Sequence, residues 1–248
     1  MKIHLAADYR SNAAFYPVYT LTGRLTAVEL ISWFSDENAN VAIPAEMLIP
    51  QLTFEQRISL LQSQITLVEK YREFFSYHDL YVAINIDEII AQAILESEFL
   101  LHKLGLLDCL ELEINESFTD LSAGKDNPLL AALNDHFSLS LDNFGAGKAT
   151  AKAVYDDLFN RIKLDKGFIQ HNIKRRSFAP FINAILDNIT PHCQQVIVQG
   201  IDDIQALATI RQYPFAGIQS ALFPATDELS LAALLKTPAL LMPPAESP

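Results

Sequence analysis

A hairpin-like opening, about seven alternating strand and helix patterns after it, and polar side chains recurring near the C-terminal ends of successive predicted strands together predict an α/β chain folded as a TIM-like (β/α)8 barrel. An open doubly wound sheet is the alternative, because periodicity alone does not decide whether a sheet closes. The 248 residues suit one such domain, and neither an internal repeat nor an interdomain linker interrupts them.

The elements follow in order. FYPVYT, a turn at Thr22-Gly23 and RLTAVELISWF read as a hairpin, since both runs are rich in β-branched and aromatic residues. From Thr53 to about Phe74, apolar residues at Phe54, Ile58, Leu61, Ile65, Val68 and Tyr71 keep helical spacing, and LYVAINI from Leu80 is a strand. A helix near Glu88 to Leu104, the strand CLELEI from Cys109, a helix near Pro128 to Leu133 and the strand FSLSLDNF ending at Phe144 continue the beat. A short helix around 150–158 precedes NRIKLD, a long helix near Pro180 to Ile189 precedes QQVIVQG, and a helix near Asp203 to Arg211 precedes FAGIQ. A last helix lies near Ser230 to Leu235, and the prolines of TPALLMPPAESP mark residues 237–248 as a flexible tail.

Composition narrows the function. Residues are 50% hydrophobic, enough to bury a sizeable core. With 18 Lys and Arg against 30 Asp and Glu, the formal charge of −12 repels phosphate backbones and anionic lipids, which argues against direct nucleic-acid binding. The N-terminus lacks a continuous apolar core of the kind signal peptides carry, and no run reaches the roughly 18 apolar residues of a membrane span. Cys109 and Cys193 stand far apart with no CxxC or Cys/His cluster, so neither a zinc site nor a disulfide framework is indicated. A reducing cytoplasm is expected.

In a barrel the strand ends converge. Glu29, Asn85, Glu113, Asp142, Asn143 and Gln199 would then present oxygens to one cavity beside Lys163, the donor chemistry that hard divalent cations prefer. Two such ions about 3.5–4 Å apart would activate water for an in-line displacement at phosphorus. Each residue also has a plainer reading. Glu29 fits a solvated edge strand, Asn85 a helix cap, Glu111 and Glu113 a half-buried strand, Asp142-Asn143 a tight turn before FGAG, and Lys163 a solvated strand end. Their co-occurrence at consecutive strand ends carries the argument.

These segments, in order, resemble the EAL family of cyclic-di-GMP phosphodiesterases from about Phe15 to Leu235. TGRLTAVELI is similar to the family's naming motif, AINID to its asparagine strand, LELEINES to LELxES, LDNFGAGKAT to the DDFGTG loop, RIKLDKGFIQ to KIDxxFI, and VIVQGIDD to AEGVET. The resemblance implies a TIM-type barrel with an antiparallel first strand, and in active members Mg- or Mn-dependent hydrolysis of cyclic di-GMP to pGpG. It implies that Glu29, Asn85, Glu113 and Asp142 match metal ligands, that Lys163 matches the active-site lysine, and that Glu116 matches a glutamate bracing the loop after the DDFG-type motif.

The departures cluster in the same cavity. Asn143 replaces the second aspartate of the pair, Gln199 replaces the first glutamate of AEGVET, Asp202 shortens the second, and Trp33 stands in place of an arginine that often holds a substrate phosphate. Ala146 and Lys148 also depart from the loop pattern. Asn and Gln keep the shape of the lost carboxylates but are neutral, and their NH₂ groups cannot ligate a cation. Among degenerate members, NFGAG, LDKGFIQ, INES and the SFAPF run of Ser177, Phe178, Ala179, Pro180 and Phe181 resemble an enterobacterial branch that binds the FlhD subunit of the flagellar activator FlhDC, although Asp142 and Lys163 are retained here and that branch tends to lose them.

The resemblance therefore implies a regulator that represses flagellar genes and motility through FlhD, with no cofactor, no direct nucleic-acid or membrane contact, and weak or absent cyclic-di-GMP binding. The alternatives are an active or weakly active cyclic-di-GMP phosphodiesterase using Mg or Mn, and a receptor that binds the dinucleotide without cleaving it.

Overall fold

Eight strands close a barrel in the computed structural model, which describes residues 2–4, 8–36, 42–147 and 151–242. They are β1 (Asp8–Tyr19), β2 (Leu25–Asp36), β3 (Tyr81–Ile86), β4 (Leu110–Asn115), β5 (Leu139–Phe144), β6 (Arg161–Leu164), β7 (Gln195–Val198) and β8 (Gly217–Ile218). Strands β2 to β8 pair in parallel and in chain order, while β1 pairs antiparallel with both β2 and β8. The antiparallel strand follows from the turn. A loop of five residues can return the chain only in the opposite direction, whereas parallel neighbours need a crossover, here mostly helical. The pairing Ile218↔Tyr19 completes the ring, so the barrel and not the open sheet is the fold.

The period of two along each strand sorts side chains between two environments. Val82, Ile84 and Ile86 of β3, Leu110, Leu112 and Ile114 of β4, and Ile162 and Leu164 of β6 point outward into the main apolar core between barrel and helices. The alternate positions turn inward. Glu111 and Glu113, Ser140, Arg161 and Lys163 meet Val18, Ala27 and Ile197 inside the barrel. An interior filled by side chains is expected of an eight-stranded barrel, but branched apolar residues usually dominate it. Here charged residues share it with them.

The helices begin where short polar side chains satisfy exposed backbone N–H groups. Thr53 and Gln56 form a reciprocal capping box at α1 (Phe54–Lys70), and a shorter helix, Arg72–Tyr77, follows it. The segment expected as one helix from Glu88 divides into α2 (Glu88–Glu96), capped by Asp87, and α3 (Glu98–Gly105), because Ser97 leaves helical geometry and caps the second piece. Asn127 caps α4 (Pro128–His136). The predicted helix around 150–158 is α5 (Lys152–Tyr155), and its expected start at 150 lies outside the described residues. A helix absent from the sequence reading, α6 (Lys166–Asn172), follows β6, with Asp165 accepting from Phe168 N–H at 2.6 Å. Its seven residues and Gly167 in the first turn hide it from periodicity. Helices α7 (Phe178–Ile189) and α8 (Ile204–Ile210) fall where expected, whereas the last predicted helix is a 3₁₀ run starting earlier, at Glu228.

Part of the expected tail is packed. Leu241 is buried, Arg211 donates to the Leu240 carbonyl at 2.6 Å, and residues 243–248 lie outside the described set. Gly23 is the contact point at the hairpin turn. Its φ of +86° suits glycine, and a Cβ there would lie 2.4 Å from Thr237 Cγ2. Among the described residues no helix is long and apolar enough to cross a membrane. Gly23→Ala is expected to destabilise the fold by about 1–3 kcal/mol, measured by urea denaturation, because strain at the turn and displacement of residues 237–241 add.

Candidate functional site

The inward side chains form stacked layers, and the upper ones open into a cavity of about 910 Å³ at the C-terminal end of the barrel. Glu29, Trp33, Asn85, Asp142, Asn143, Gln199 and Asp202 all line it, so the strand-end residues do converge. Glu113 and Lys163 sit one layer lower, buried beneath its floor.

Lys163 organises the floor. Its ammonium donates to Glu29 Oε2 at 2.7 Å and to Glu113 Oε1 at 2.8 Å, and it is only 2% exposed, which excludes the reading of a solvated strand end. Asn85 donates to Glu29 Oε1 at 2.8 Å, and Ser140 donates to Glu113 Oε2 at 3.3 Å. The cap of α2 is Asp87, so Asn85 is not the helix cap and serves the floor. Beneath, Arg161 pairs with Glu111, donates from Nε to Gln195 Oε1 at 2.9 Å and stacks 3.8 Å from the Tyr81 ring centroid. Glu111 and Glu113 therefore share one inward face. Both are buried, not half-exposed.

The electrostatics follow from one cation serving several anions. Burial alone would lower the Lys163 pKa, yet the charges of Glu113, Glu29 and Asp142 outweigh it and hold the ammonium more firmly than usual. Burial pushes the Glu29 carboxyl up, but the Lys163 charge and hydrogen bonds from Lys163, Gln219 and Asn85 bring it below the ordinary range. Glu113 is driven well upward by burial and by repulsion from Glu29 and Asp142, against the opposing pull of Lys163. Asp142 is raised by burial and by Glu29, again opposed by Lys163. Two carboxylates sharing one ammonium cannot both be fully compensated, so the cost falls on the more deeply buried one.

Asn143 and Gln199 form the layer above. Asn143 adopts the left-handed conformation with φ of +59°, which Asn and Asp tolerate better than other side chains, so the turn suits an amide and a carboxylate alike. Its Nδ2 donates to Asp142 Oδ2. Gln199 Nε2 donates to Asp142 Oδ1 at 3.1 Å and to Gln219 Oε1 at 2.9 Å, and Gln219 in turn donates to Glu29 Oε2 at 3.0 Å. Gln219 carries no sequence signal beyond its position, as the residue after the two-residue strand β8. Tyr16, paired with Glu29 across β1 and β2, also lines the cavity unanticipated; burial and the charge of Glu29 raise its phenol pKa.

The remaining predicted residues face other tasks. Glu116 Oε1 accepts from Gly145 N–H at 3.3 Å, bracing the loop after β5, and Lys148 of that loop lies outside the described residues. Asp202 accepts from Gln170 at 2.6 Å and pairs with Lys166 at 3.2 Å. Trp33 stands on the apolar wall of the cavity, 37% exposed. As arranged, this donor set does not fit a pair of divalent cations. The Lys163 ammonium stands between Glu29 and Glu113, amide N–H groups occupy both oxygens of Asp142, and Asp202 and Glu116 are engaged elsewhere. Among the described residues no group of three or more His, Cys, Asp or Glu is placed to hold a metal ion.

A family model described as EAL domain matches residues 7–223. The YdiV protein of Escherichia coli strain K12 is 40% identical over 236 residues, covering 95% of this chain and all of the relative. Anti-FlhC(2)FlhD(4) factor YdiV of Salmonella typhimurium strain LT2 is 36% identical over 228 residues, covering 92% of this chain and 96% of that one. The crystal structure of the EAL-like domain protein YdiV superimposes with a TM-score of 0.86 at 39% identity, over 92% of this chain and 97% of that chain. A phosphodiesterase in complex with c-di-GMP, PaMucR, shares the fold with a TM-score of 0.68 at 17% identity, over 89% of this chain and 99% of its own.

Lys163→Met leaves two buried carboxylates without their cation, and is expected to destabilise the barrel by about 3–5 kcal/mol in chemical denaturation. Adding Glu113→Gln to that variant should recover part of the loss, because the two sites are coupled. A pH dependence follows as well. Glu111, Glu113 and Asp142 have folded pKa values above their unfolded ones, so their stabilising contribution is complete below the unfolded value and is lost as pH rises through the folded one. Glu29 has the opposite sign, and its contribution is lost only as pH falls through a folded value below 4.5. Thermal stability is therefore expected to rise from about pH 8 to about pH 5.5, followed by calorimetry.

Proposed function

The chain belongs to the EAL domain family, and on that premise we propose that it is a catalytically degenerate member. It represses flagellar gene expression and motility by binding the FlhD subunit of the FlhDC activator, and it does not hydrolyse cyclic di-GMP. The observation that carries the reading is the layer in which the neutral amides of Asn143 and Gln199 both donate to Asp142. In an active metal site those positions supply anionic oxygens. Here they supply N–H groups, and a phosphodiester substrate would meet carboxylates with no metal to offset the repulsion.

In this reading Glu29, Asn85, Glu113 and Asp142 are retained ligand positions that no longer suffice, Lys163 and Glu116 are vestiges of the catalytic set, and Asn143, Gln199, Asp202 and Trp33 mark where the site was lost. The names of the Salmonella relatives support the partner, since they are described as anti-FlhC(2)FlhD(4) factors. The acidic charge of −12 supports an effect on transcription exerted through a protein and not through DNA. The protein acts in the cytoplasm, and binding FlhD needs no cofactor.

Three measurements decide it. On a sizing column at micromolar concentration the chain is expected to shift the FlhD peak into a common one, and two unshifted peaks would count against the partner. Incubated with cyclic di-GMP and Mn²⁺, the purified chain is expected to form no pGpG. Product formation that disappears in Lys163→Ala would instead establish an enzyme, and calorimetric heat without product would establish a cyclic-di-GMP receptor.

A further inference from the structure

The cavity reaches well beyond the polar floor. Its far side is an apolar wall built by Ile31 and Trp33 of β2, by Ile43 and Ile49, and by Leu60 and Leu61 of α1. At about 910 Å³ it has the size of a small-molecule site and the usual makeup of one, a largely apolar body with a few converging polar groups. The polar residues along the apolar side are satisfied within the protein. Arg57 pairs with Asp87 at 2.5 Å and also donates to the Leu52 carbonyl at 3.4 Å, and Gln64 donates to Ser32 Oγ at 3.1 Å.

The charges that line the cavity are unbalanced. Glu29, Asp87, Asp142 and Asp202 face Arg57 and Lys166, which are held by Asp87 and Asp202 respectively. Below the floor, Lys163 is shared between Glu29 and Glu113. Among the described residues every cation around the cavity is thus already matched to a carboxylate, and none of them is left to receive an anionic ligand. Asp142 is the reverse case. Among the described residues its side chain accepts only from the amides of Asn143 and Gln199 and has no ion-pair partner, while each carboxylate oxygen can accept a second hydrogen bond.

We propose that this cavity is a binding site for a small cationic amphiphile, a protonated primary amine held by Asp142 with an aliphatic or aromatic body along Trp33, Ile49 and Leu60. The ammonium supplies the positive charge that Asp142 lacks, and its three donors match the free acceptor capacity of Asp142 and the amide oxygens beside it. The body covers the apolar wall and displaces water from it. An anion of equal length would meet the same wall and a repulsive end. This assignment does not depend on the flagellar reading, because it rests on the cavity alone.

The test uses octylammonium chloride, octyl sulfate and octanol as probes on the full chain, measured by isothermal calorimetry below their micellar concentrations. Octylammonium is expected to bind with a stoichiometry of one and about tenfold or more tighter than octyl sulfate, the size of one charge-assisted hydrogen bond. The near-isosteric Asp142→Asn should remove that preference for the cation while leaving octanol binding unchanged. Trp33→Ala, at a partly exposed position that can change without unfolding the barrel, should weaken octylammonium and octanol together. Equal binding of amine and sulfate, binding of several amines per chain with no saturation, or a preference that survives Asp142→Asn would each overturn the assignment.

Discussion

One ammonium between two buried carboxylates sets the character of this barrel. Lys163, Glu29 and Glu113 come from three different strands, β6, β2 and β4, and none of the three could stay charged in the interior without the others. An ion pair in such a place contributes little net stability compared with apolar packing, but breaking it is costly, so it acts as a constraint more than as a source of stability. It ties register to chemistry. A slip of one residue in β4 or β6 would turn these side chains into the outer apolar layer and bring leucines and isoleucines inside.

The layer above inherits that arrangement. With Lys163 committed below, the anions at the cavity mouth can be neutralised only by hydrogen bonds, and Asn143, Gln199 and Gln219 provide them in a chain that runs from Asp142 back to Glu29. The amides hold the carboxylates at the cavity mouth by hydrogen bonds. Asn143 occupies a left-handed turn position that suits Asn as well as Asp, so the charge at that position can differ without disturbing the backbone.

The fold was legible where side-chain period and turn chemistry agree. The Gly23 turn and the alternation of β3 to β6 are local signals, whereas the caps at Thr53, Asn127 and Asp203 are seen in the structure. What escaped was either too short or dependent on distant partners. Helix α6 has seven residues and a glycine in its first turn, and β8 has two residues, so Gln219 had no pattern to mark it. Glu111 and Glu113 look identical in LELEI. Only the closed barrel shows that one meets Arg161 and the other Lys163, each fifty residues away. The cluster of strand-end residues was readable because the parallel barrel brings those ends together, whereas the apolar wall of the cavity, drawn from β2, α1 and the segment between them, has no signature along the chain.

An ammonium and amides occupy the places where divalent cations would sit in this cavity. Crystals of the protein grown with Mn²⁺ and examined by anomalous diffraction put this to the test. We expect no manganese density against Glu29, Asn85, Glu113 or Asp142, with Lys163 still bridging the two glutamates. Two peaks about 3.5–4 Å apart among those side chains, with Lys163 displaced, would contradict it.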